Sequence, residues 1–309
     1  MVEQLKSKNV ADLLLFLLSN GAATKADLVK GTSLGNTTVS DIINDLTKLQ
    51  LVREVGKQNS DGGRRSSIYE VCKNYGRFVG VALFSDRFEF VTTDCHNKLI
   101  DTRTVAVGGN IPHILTLTDE LRNIINSFGD ILGIGIGLHG EIEYRTQVIT
   151  NCDCLKWQYV HLTEIIEREF QCFTYIDHYT NGAALKERIH GAAKGVDNFI
   201  YYTNLAPKKS AITLGGKVCR GKRNMAGWLN GSHESIANDL IALKKSMDVE
   251  HIFIAEHGHE MHKMQIDSDC TLLLDTDKYN LSQGMAMAAE VQWFYRALWR
   301  RGVLLEQIF

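Results

Sequence analysis

The spacing of apolar residues changes near residue 75, and this change divides the chain into two differently built parts. Before it, apolar residues recur every three or four positions, as in amphipathic helices. After it, short apolar runs alternate with helical patterns, which indicates an α/β domain. The length of 309 residues also favours two domains over one. We therefore predict a helical domain over residues 1–72 and an α/β domain over residues 73–309.

The composition excludes several classes of protein. Hydrophobic residues at 44% and charged residues at 23% are typical of ordered globular domains. No apolar run approaches the roughly 18 residues of a membrane span, and the first residues lack a signal-peptide core. The seven cysteines have no regular spacing, and Cys152 and Cys154 form only an isolated C-x-C pair. We expect free thiols, a cytoplasmic location and no membrane partner.

The first domain has the pattern of a helix-turn-helix. The apolar positions from Val10 to Leu18 make one helix face, and Thr24 stands at the N-cap of a short second helix. A glycine-containing turn over residues 31–35 follows, and Asn36 is placed to cap a longer third helix. This order of short helix, tight turn and amphipathic helix is that of a helix-turn-helix.

Two strands predicted over residues 51–55 and 67–71 add a wing. The loop between them contains a glycine pair followed by Arg64 and Arg65. Arginines on an extended loop fit the narrow minor groove of DNA, where the negative potential is concentrated. The first domain is therefore predicted to be a winged helix-turn-helix.

Short polar side chains on the third helix are expected to meet base edges or phosphates, and a lysine to neutralise a phosphate. The predicted DNA-contacting residues are Lys25, Asn36, Thr37, Thr38, Ser40, Asn44, Arg64 and Arg65. The charge bias is mild: residues 1–75 hold ten Lys/Arg against eight Asp/Glu, and the remainder holds 24 against 28. A protein-docking module with solvated arginines is the alternative.

The chain resembles the repressor branch of the ROK family (repressors, open reading frames and kinases). The likeness rests on residues 22–51, the glycine-arginine wing, Gly80, the glycine-rich segment 133–140 and the segment 177–187. It implies a two-lobed, actin-like (ribonuclease H-like) fold with a ligand cleft between the lobes. It also implies a homodimer or higher homo-oligomer that binds double-stranded DNA and releases it to a sugar-like effector.

The kinase motifs of the family are altered. Aligned on Asn181, the family's catalytic aspartate falls on Tyr179, and a tyrosine is a poor base at neutral pH. Leu83 and Phe84 stand in the first phosphate loop, and residues 205–210, with a proline, replace the second. The family's sugar-binding glutamate and its zinc ligands are missing around residues 226–231, and a helical block after them is deleted. The resemblance thus predicts a shortened C-terminal lobe, no catalytic residue and no cofactor.

The old cleft is either filled with side chains or rebuilt around a ligand. The residues that would hold such a ligand are Gly140, Asp177, His178, Tyr179, Asn181, Glu187 and Trp228. We expect a sequence-specific transcriptional regulator, a repressor of carbohydrate-related genes. A sugar- or sugar-phosphate-binding enzyme rebuilt around residues 177–179, and a pure scaffold, are the alternatives.

Three further patterns make predictions of their own. His251, His257, His259 and His262 cluster late in the chain but do not match a metal-binding helix motif, and we expect an exposed loop there. Glycines alternate over residues 133–137, which indicates a strand with a close backbone neighbour. The aromatic residues between 291 and 299 predict a core-facing helix near the C-terminus, with a partner interface as the alternative.

Overall fold

The computed structural model describes residues 2–58, 65–108, 113–203, 209–256, 271–275 and 278–300. The first 75 residues form three helices and a small antiparallel sheet with the strand order β1-β3-β2. These elements are α1 (Val2–Asn20), β1 (Ala23–Thr24), α2 (Lys25–Thr32), α3 (Asn36–Lys48), β2 (Val52–Gln58) and β3 (Ser66–Val71). The turn between β2 and β3 lies outside the described residues, and Arg64 with it.

Capping fixes the start of α2 as the sequence predicts. The Thr24 hydroxyl accepts from the Asp27 amide at 3.2 Å, and the Asp27 carboxylate accepts from the Thr24 amide at 2.9 Å. This reciprocal capping box satisfies two amides that the helix leaves free. The prediction that Asn36 caps α3 is wrong. Gly35 is the N-cap, without a side-chain hydrogen bond, and Asn36 is already the first helical residue.

Two five-stranded mixed sheets, a small three-stranded sheet of order β10-β9-β8 and their helices form the rest of the described chain. The first lobe contains β4 (Arg77–Leu83), β5 (Arg87–Asp94), β6 (Leu99–Ala106), α4 (His113–Phe128), β7 (Ile131–Leu138), β8 (Glu141–Glu143), β9 (Val148–Cys152), a 3-10 turn (Asp153–Leu155), β10 (Trp157–Val160), α5 (Leu162–Phe170), β11 (Phe173–His178) and α6 (Tyr179–His190). The second contains β12 (Phe199–Thr203), β13 (Lys209–Leu214), β14 (Lys217–Cys219), α7 (His233–Met247), β15 (His251–Glu256) and β16 (Thr271–Asp275). The last helix, α8 (Asn280–Arg300), returns to the first lobe.

The two large sheets repeat one topology. Their orders are β11-β7-β4-β5-β6 and β14-β13-β12-β15-β16. In each, the first strand lies in the middle, with the second and third strands antiparallel on one side. The fourth and fifth strands are parallel on the other side. This repeat matches the predicted two-lobed architecture, and a single helix, α7, connects β14 to β15.

Helix α8 packs its backbone directly against the first sheet. A Cβ atom on Gly80 of β4 would lie 1.9 Å from the Ser282 carbonyl oxygen, and one on Gly135 of β7 would lie 2.0 Å from the Met285 carbonyl oxygen. The predicted close backbone neighbour of the glycine strand is therefore α8. The predicted core-facing aromatics are confirmed for Trp293 and Phe294, which are buried.

The same helix contacts α1. The Ser7 hydroxyl donates to the Tyr295 carbonyl at 2.7 Å, and the Tyr295 hydroxyl donates to Asp12 at 2.8 Å. Apolar residues of α1, such as Leu14 and Leu17, share one hydrophobic core with Trp293. The helices of the first 75 residues are thus packed on α8.

No helix among the described residues is long and apolar enough to cross a membrane.

The close approach of α8 predicts that Gly80→Ala destabilises the protein by about 3 kcal/mol, because the added methyl group meets helix backbone and not a movable side chain. The matched control is Gly56→Ala in β2, where an added Cβ has nothing within 4 Å. Its effect should stay within about 0.5 kcal/mol. Urea unfolding of both variants measures the difference, and equal stabilities would contradict the packing.

Candidate functional site

The helices α2 and α3 present a polar surface to solvent. Only residues 33–35 separate them, and Ser33 turns the chain with a left-handed φ of 58°. Apolar side chains anchor α3 from beneath, namely Val39, Ile43 and Leu46. The predicted DNA-contacting residues lie on the opposite side: Asn36, Thr37 and Asn44 are exposed, and Thr38 and Ser40 are half-buried. This leaves the N-terminal half of α3 open to a partner.

The predicted basic residues differ in their exposure. Arg65 is exposed at the start of the strand segment that follows the undescribed turn. Lys25 is half-buried, and its ammonium group lies 5.8 Å from the centre of the Tyr69 ring. A cation above an aromatic face is held there weakly and can still reach solvent. The Lys25 ammonium group therefore already has one contact within its own domain.

A cavity of about 480 Å³ opens between the two lobes. Its walls combine an aromatic surface with carboxylates, an amide and a thiol. The lining residues are His139, Gly140, Glu141, Asn151, Asp153, Cys154, Met225 and Trp228. The His139 and Trp228 rings lie 3.8 Å apart between centroids. Of the predicted ligand-binding residues, the structure places Gly140 and Trp228 in this wall.

Asp177 is buried near the end of β11, one residue before the His178 that contacts His139 of the cavity wall, and it is the acceptor of a saturated polar cluster. One carboxylate oxygen accepts from the side-chain amides of Asn181 and Asn224, each at 2.8 Å, and from the His178 backbone amide at 2.7 Å. The other accepts from the Tyr175 hydroxyl at 2.7 Å and from Arg220 at 2.8 Å. Every acceptor direction of this carboxylate is therefore used.

The cluster holds Asp177 as an anion. Burial alone would raise its pKa, but the Arg220 charge and the surrounding donors outweigh burial and lower the pKa below the usual value. A carboxylate that is ionised, buried and saturated has no free lone pair with which to take a proton from a substrate. Asp177 and Arg220 thus form an ion pair that joins the two lobes, and the Asp177 carboxylate is not available to a substrate.

Two histidines beside this cluster form a pair whose tautomers are fixed by the backbone. His178 caps α6 by accepting the Thr180 amide proton at Nδ1, over 3.2 Å. Its own proton therefore resides on Nε2 and is donated to Nδ1 of His139 at 2.9 Å. A proton added to either ring would set two donors against each other. Burial accordingly lowers the pKa of His139 to about 4 and that of His178 well below its usual value.

Tyr179 fills the place in which the resemblance puts the kinase base. Its side chain is buried, and its ring lies 5.4 Å from that of Phe84. Burial raises the pKa of the Tyr179 hydroxyl above its usual value. Both replacements for kinase residues thus pack against each other, which supports the filled-cleft alternative for this part of the cleft.

Glu187 is not brought to the cavity. It lies in the last turn of α6, at the far end from Asp177, where its carboxylate accepts from the Ala192 amide at 3.1 Å. This contact and a nearby Lys186 ammonium at 3.7 Å give it a helix-terminating role. Its inclusion among the ligand-binding candidates is therefore not supported by its placement.

The sequence missed three charged or amide side chains of the cluster. Arg220 and Asn224 come from the irregular segment after β14, which has no periodic pattern that would reveal their direction. Lys209 is fully buried at the start of β13 and donates to Asn181 at 3.2 Å. Burial lowers the pKa of Lys209 to about 7, against the opposing pull of Asp177.

No group of three potential metal ligands occurs among the described residues. His251 begins β15, while His257, His259 and His262 lie outside the described residues.

The cavity lies within a part of the chain that matches a known protein family. The model of the ROK family matches residues 79–236, which is about half of the chain and includes the cavity wall. The chain belongs to the ROK family. It is 30% identical over 230 residues to a putative xylose repressor from Caldicellulosiruptor sp. (strain Rt8B.4), an alignment that covers 72% of this chain. The chain spans only 58% of the length of that relative.

Solved structures show the same fold. A ROK family transcriptional regulator, described as a homologue of the E. coli MLC protein, matches with a TM-score of 0.75 at 13% identity. That match covers 97% of this chain and 99% of the other. A ROK family glucokinase from Streptomyces griseus, solved with glucose and AMPPNP, matches with a TM-score of 0.56 at 14% identity over 69% of this chain and 99% of the other. The ROK, actin-like fold is thereby established for this chain.

The neutral histidine pair predicts a loss of stability in acid. Because the folded pKa of His139 is about 4 and that of an unfolded histidine is about 6.5, the unfolded chain binds more protons between these values. The free energy of unfolding should therefore fall as the pH is lowered from about 6.5 towards 4, by at most about 1.4 kcal/mol per pH unit for each ring.

The double variant His139→Gln/His178→Asn keeps an N-cap acceptor and should show a shallower pH dependence in urea unfolding. The exposed His161→Gln is the matched control and should keep the wild-type slope. Identical slopes for all three proteins would contradict the assignment of neutral rings.

Proposed function

We propose that this protein is a sugar-responsive, DNA-binding transcriptional regulator that acts as a homodimer or higher oligomer. Residues 1–72 serve as a winged helix-turn-helix domain, and residues 73–309 as the effector and oligomerisation domain. The observation that carries the proposal is the open polar surface of α3, anchored by its apolar side and preceded by a capped α2. The relative named as a putative xylose repressor supports the same class of function.

The DNA-contacting surface follows from this arrangement. Asn36, Thr37 and Asn44 offer donors and acceptors on the exposed side of α3, and such groups read base edges in the major groove. The exposed Arg65 supplies positive charge for the DNA backbone or the minor groove, and Arg64, which lies outside the described residues, precedes it in the sequence. The two copies of this surface in a dimer would contact two half-sites on one face of the duplex.

The cavity between the lobes is the proposed effector site. Trp228 and His139, whose rings pack on each other at an interplanar angle of 40°, provide the aromatic part of the wall, and Glu141, Asn151 and Asp153 provide polar groups around it. This combination suits a sugar, whose C–H face packs on aromatic rings while its hydroxyls form hydrogen bonds. The name of the relative makes D-xylose the first sugar to test.

We further propose that the protein does not transfer phosphate. The buried contact between Phe84 and Tyr179 occupies the place of the kinase base, and the Asp177 carboxylate below it is saturated. No free general base therefore faces the cavity from this pair of residues. The same packing opposes an enzyme rebuilt around residues 177–179.

Helix α8 offers the route from the cavity to the DNA-binding surface. The guanidinium of Arg296 lies 5.6 Å from the Tyr144 ring and 5.9 Å from the Tyr175 ring, and Tyr175 donates to Asp177. The adjacent Tyr295 donates to Asp12 of α1. A shift of His139 in the cavity wall, transmitted through His178, Asp177 and Tyr175, would therefore move a helix that also contacts the first domain.

The DNA proposal is tested by selecting duplexes from a random pool and titrating them by fluorescence anisotropy at two salt concentrations. We expect a selected sequence to bind at least about a thousandfold more tightly than random DNA, with affinity falling steeply with salt. Arg65→Glu should weaken binding to both duplexes by about tenfold or more and reduce the salt dependence. Lys217→Glu, exposed on β14 of the second lobe, is the matched control and should bind as the wild type does.

Absence of binding at low salt would contradict the regulator. Tight binding that Arg65→Glu leaves unchanged would instead contradict the proposed surface.

A further inference from the structure

Two cysteine thiols meet in the wall of the cavity. Cys152 is the last residue of β9, and Cys154 lies in the 3-10 turn that follows. Residues two apart already share one face of a strand, and the turn that begins at Asp153 brings them closer together. The two sulfur atoms lie 3.5 Å apart.

The two thiols differ in accessibility. Cys154 is half-buried and lines the cavity, so a small molecule that enters the cavity reaches its sulfur. Cys152 is buried, and its thiol donates to the His139 carbonyl at 3.4 Å. The Cys154 sulfur is therefore accessible from the cavity, and the buried Cys152 sulfur lies 3.5 Å from it.

The contact between the two thiols also shifts their pKa values in opposite directions. When Cys154 ionises, its thiolate can accept the single Cys152 hydrogen that otherwise goes to the His139 carbonyl, and this side-chain contact is the largest influence that lowers the pKa of Cys154, to about 7. The same contact, followed by burial, raises the pKa of Cys152. The thiolate is the reactive form of cysteine, so the accessible sulfur is also the more nucleophilic of the two at neutral pH.

We propose that Cys154 and Cys152 form an oxidative modification site, at which a hydroperoxide in the cavity is reduced and an intramolecular disulfide is formed. The Cys154 thiolate attacks the terminal peroxide oxygen, the O–O bond breaks, and the departing oxygen takes a proton to leave as water or an alcohol. The resulting sulfenic acid is attacked by the Cys152 sulfur, which loses its proton, and the S–O bond breaks to release water. Two thiols are oxidised and one hydroperoxide is reduced.

Disulfide formation would alter the cavity. An S–S bond of about 2.05 Å requires the sulfur atoms to approach by about 1.5 Å, which moves the turn that carries Cys154. It also removes the thiol hydrogen that Cys152 donates to the His139 carbonyl, and the His139 ring packs on Trp228. The modification would therefore affect the positions of the His139 and Trp228 rings in the cavity wall, whether or not the cavity binds a sugar.

The test treats the folded full chain with hydrogen peroxide, alkylates the remaining thiols in denaturant and digests with trypsin. Cleavage after Arg145 and Lys156 gives a peptide, 146–156, that holds both cysteines and no others. We expect this peptide to become two hydrogens lighter and to escape alkylation, and dithiothreitol to reverse both changes. The peptide 66–73 is the internal control because it carries the half-buried Cys72 alone. Its thiol should be lost at least about tenfold more slowly.

Two variants separate the roles of the sulfurs. Cys152→Ser should trap the sulfenic acid on Cys154, where dimedone labels it, and Cys154→Ser should leave Cys152 alkylatable at the same peroxide dose. The proposal is overturned if peptide 146–156 keeps two alkylatable thiols in folded protein. It is also overturned if that peptide reacts no faster than peptide 66–73, or if Cys152→Ser takes up no dimedone.

Discussion

The contact between the backbone of α8 and the glycines of the first sheet is the constraint on which the rest of the molecule depends. Gly80 and Gly135 admit the helix at a distance that no side chain would allow. Gly284 of α8 also lies against α6, where an added Cβ would be 2.4 Å from the Ala183 amide nitrogen, so the same helix is fixed on two sides. Because α8 is held by backbone contacts, its position is set by the shape of the sheet. The last described side chains of α8, those of Tyr295 and Arg296, therefore have defined positions.

These two neighbouring side chains of α8 contact different parts of the molecule. Tyr295 is hydrogen bonded to Asp12 in α1, and Arg296 packs on the rings of Tyr144 and Tyr175. Tyr175 in turn belongs to the cluster around Asp177, which contacts His139 of the cavity wall through His178. A single turn of helix therefore contacts both the N-terminal helices and the cleft. In the account that we propose, this is how an occupied cavity changes the affinity for DNA.

Buried polar contacts hold the two lobes together beside the cavity. Asp177 and Arg220 come from different lobes and form a buried ion pair whose remaining lone pairs and donors are satisfied. A pair of this kind is strongly destabilising to break from one side only, so it favours one relative arrangement of the lobes. Phe84 and Tyr179, both buried, add an aromatic contact at the N-terminus of α6. What stays accessible is the wall at His139 and Trp228, which suits recognition more than catalysis.

Local patterns in the sequence predicted the elements well, because capping and apolar spacing act over a few residues. Thr24 caps α2, and the alternating glycines mark the strand against which α8 packs. The Asn36 cap failed because Gly35 already has the extended conformation that an N-cap requires. Arg220, Asn224 and Lys209 were beyond prediction, since they meet Asp177 and Asn181 only through the pairing of the two lobes.

The central claim is that the cavity and the DNA-binding surface communicate through α8. It is tested most directly by the affinity for a selected duplex with and without a saturating aldose, D-xylose first, in the wild type and in Arg296→Met. The account predicts that sugar weakens DNA binding by about tenfold or more in the wild type, a usual scale for coupling between sites. Arg296→Met should bind duplex and sugar separately as the wild type does, yet lose most of that response. A full response in Arg296→Met, or sugar binding that leaves the wild-type DNA affinity unchanged, would contradict it.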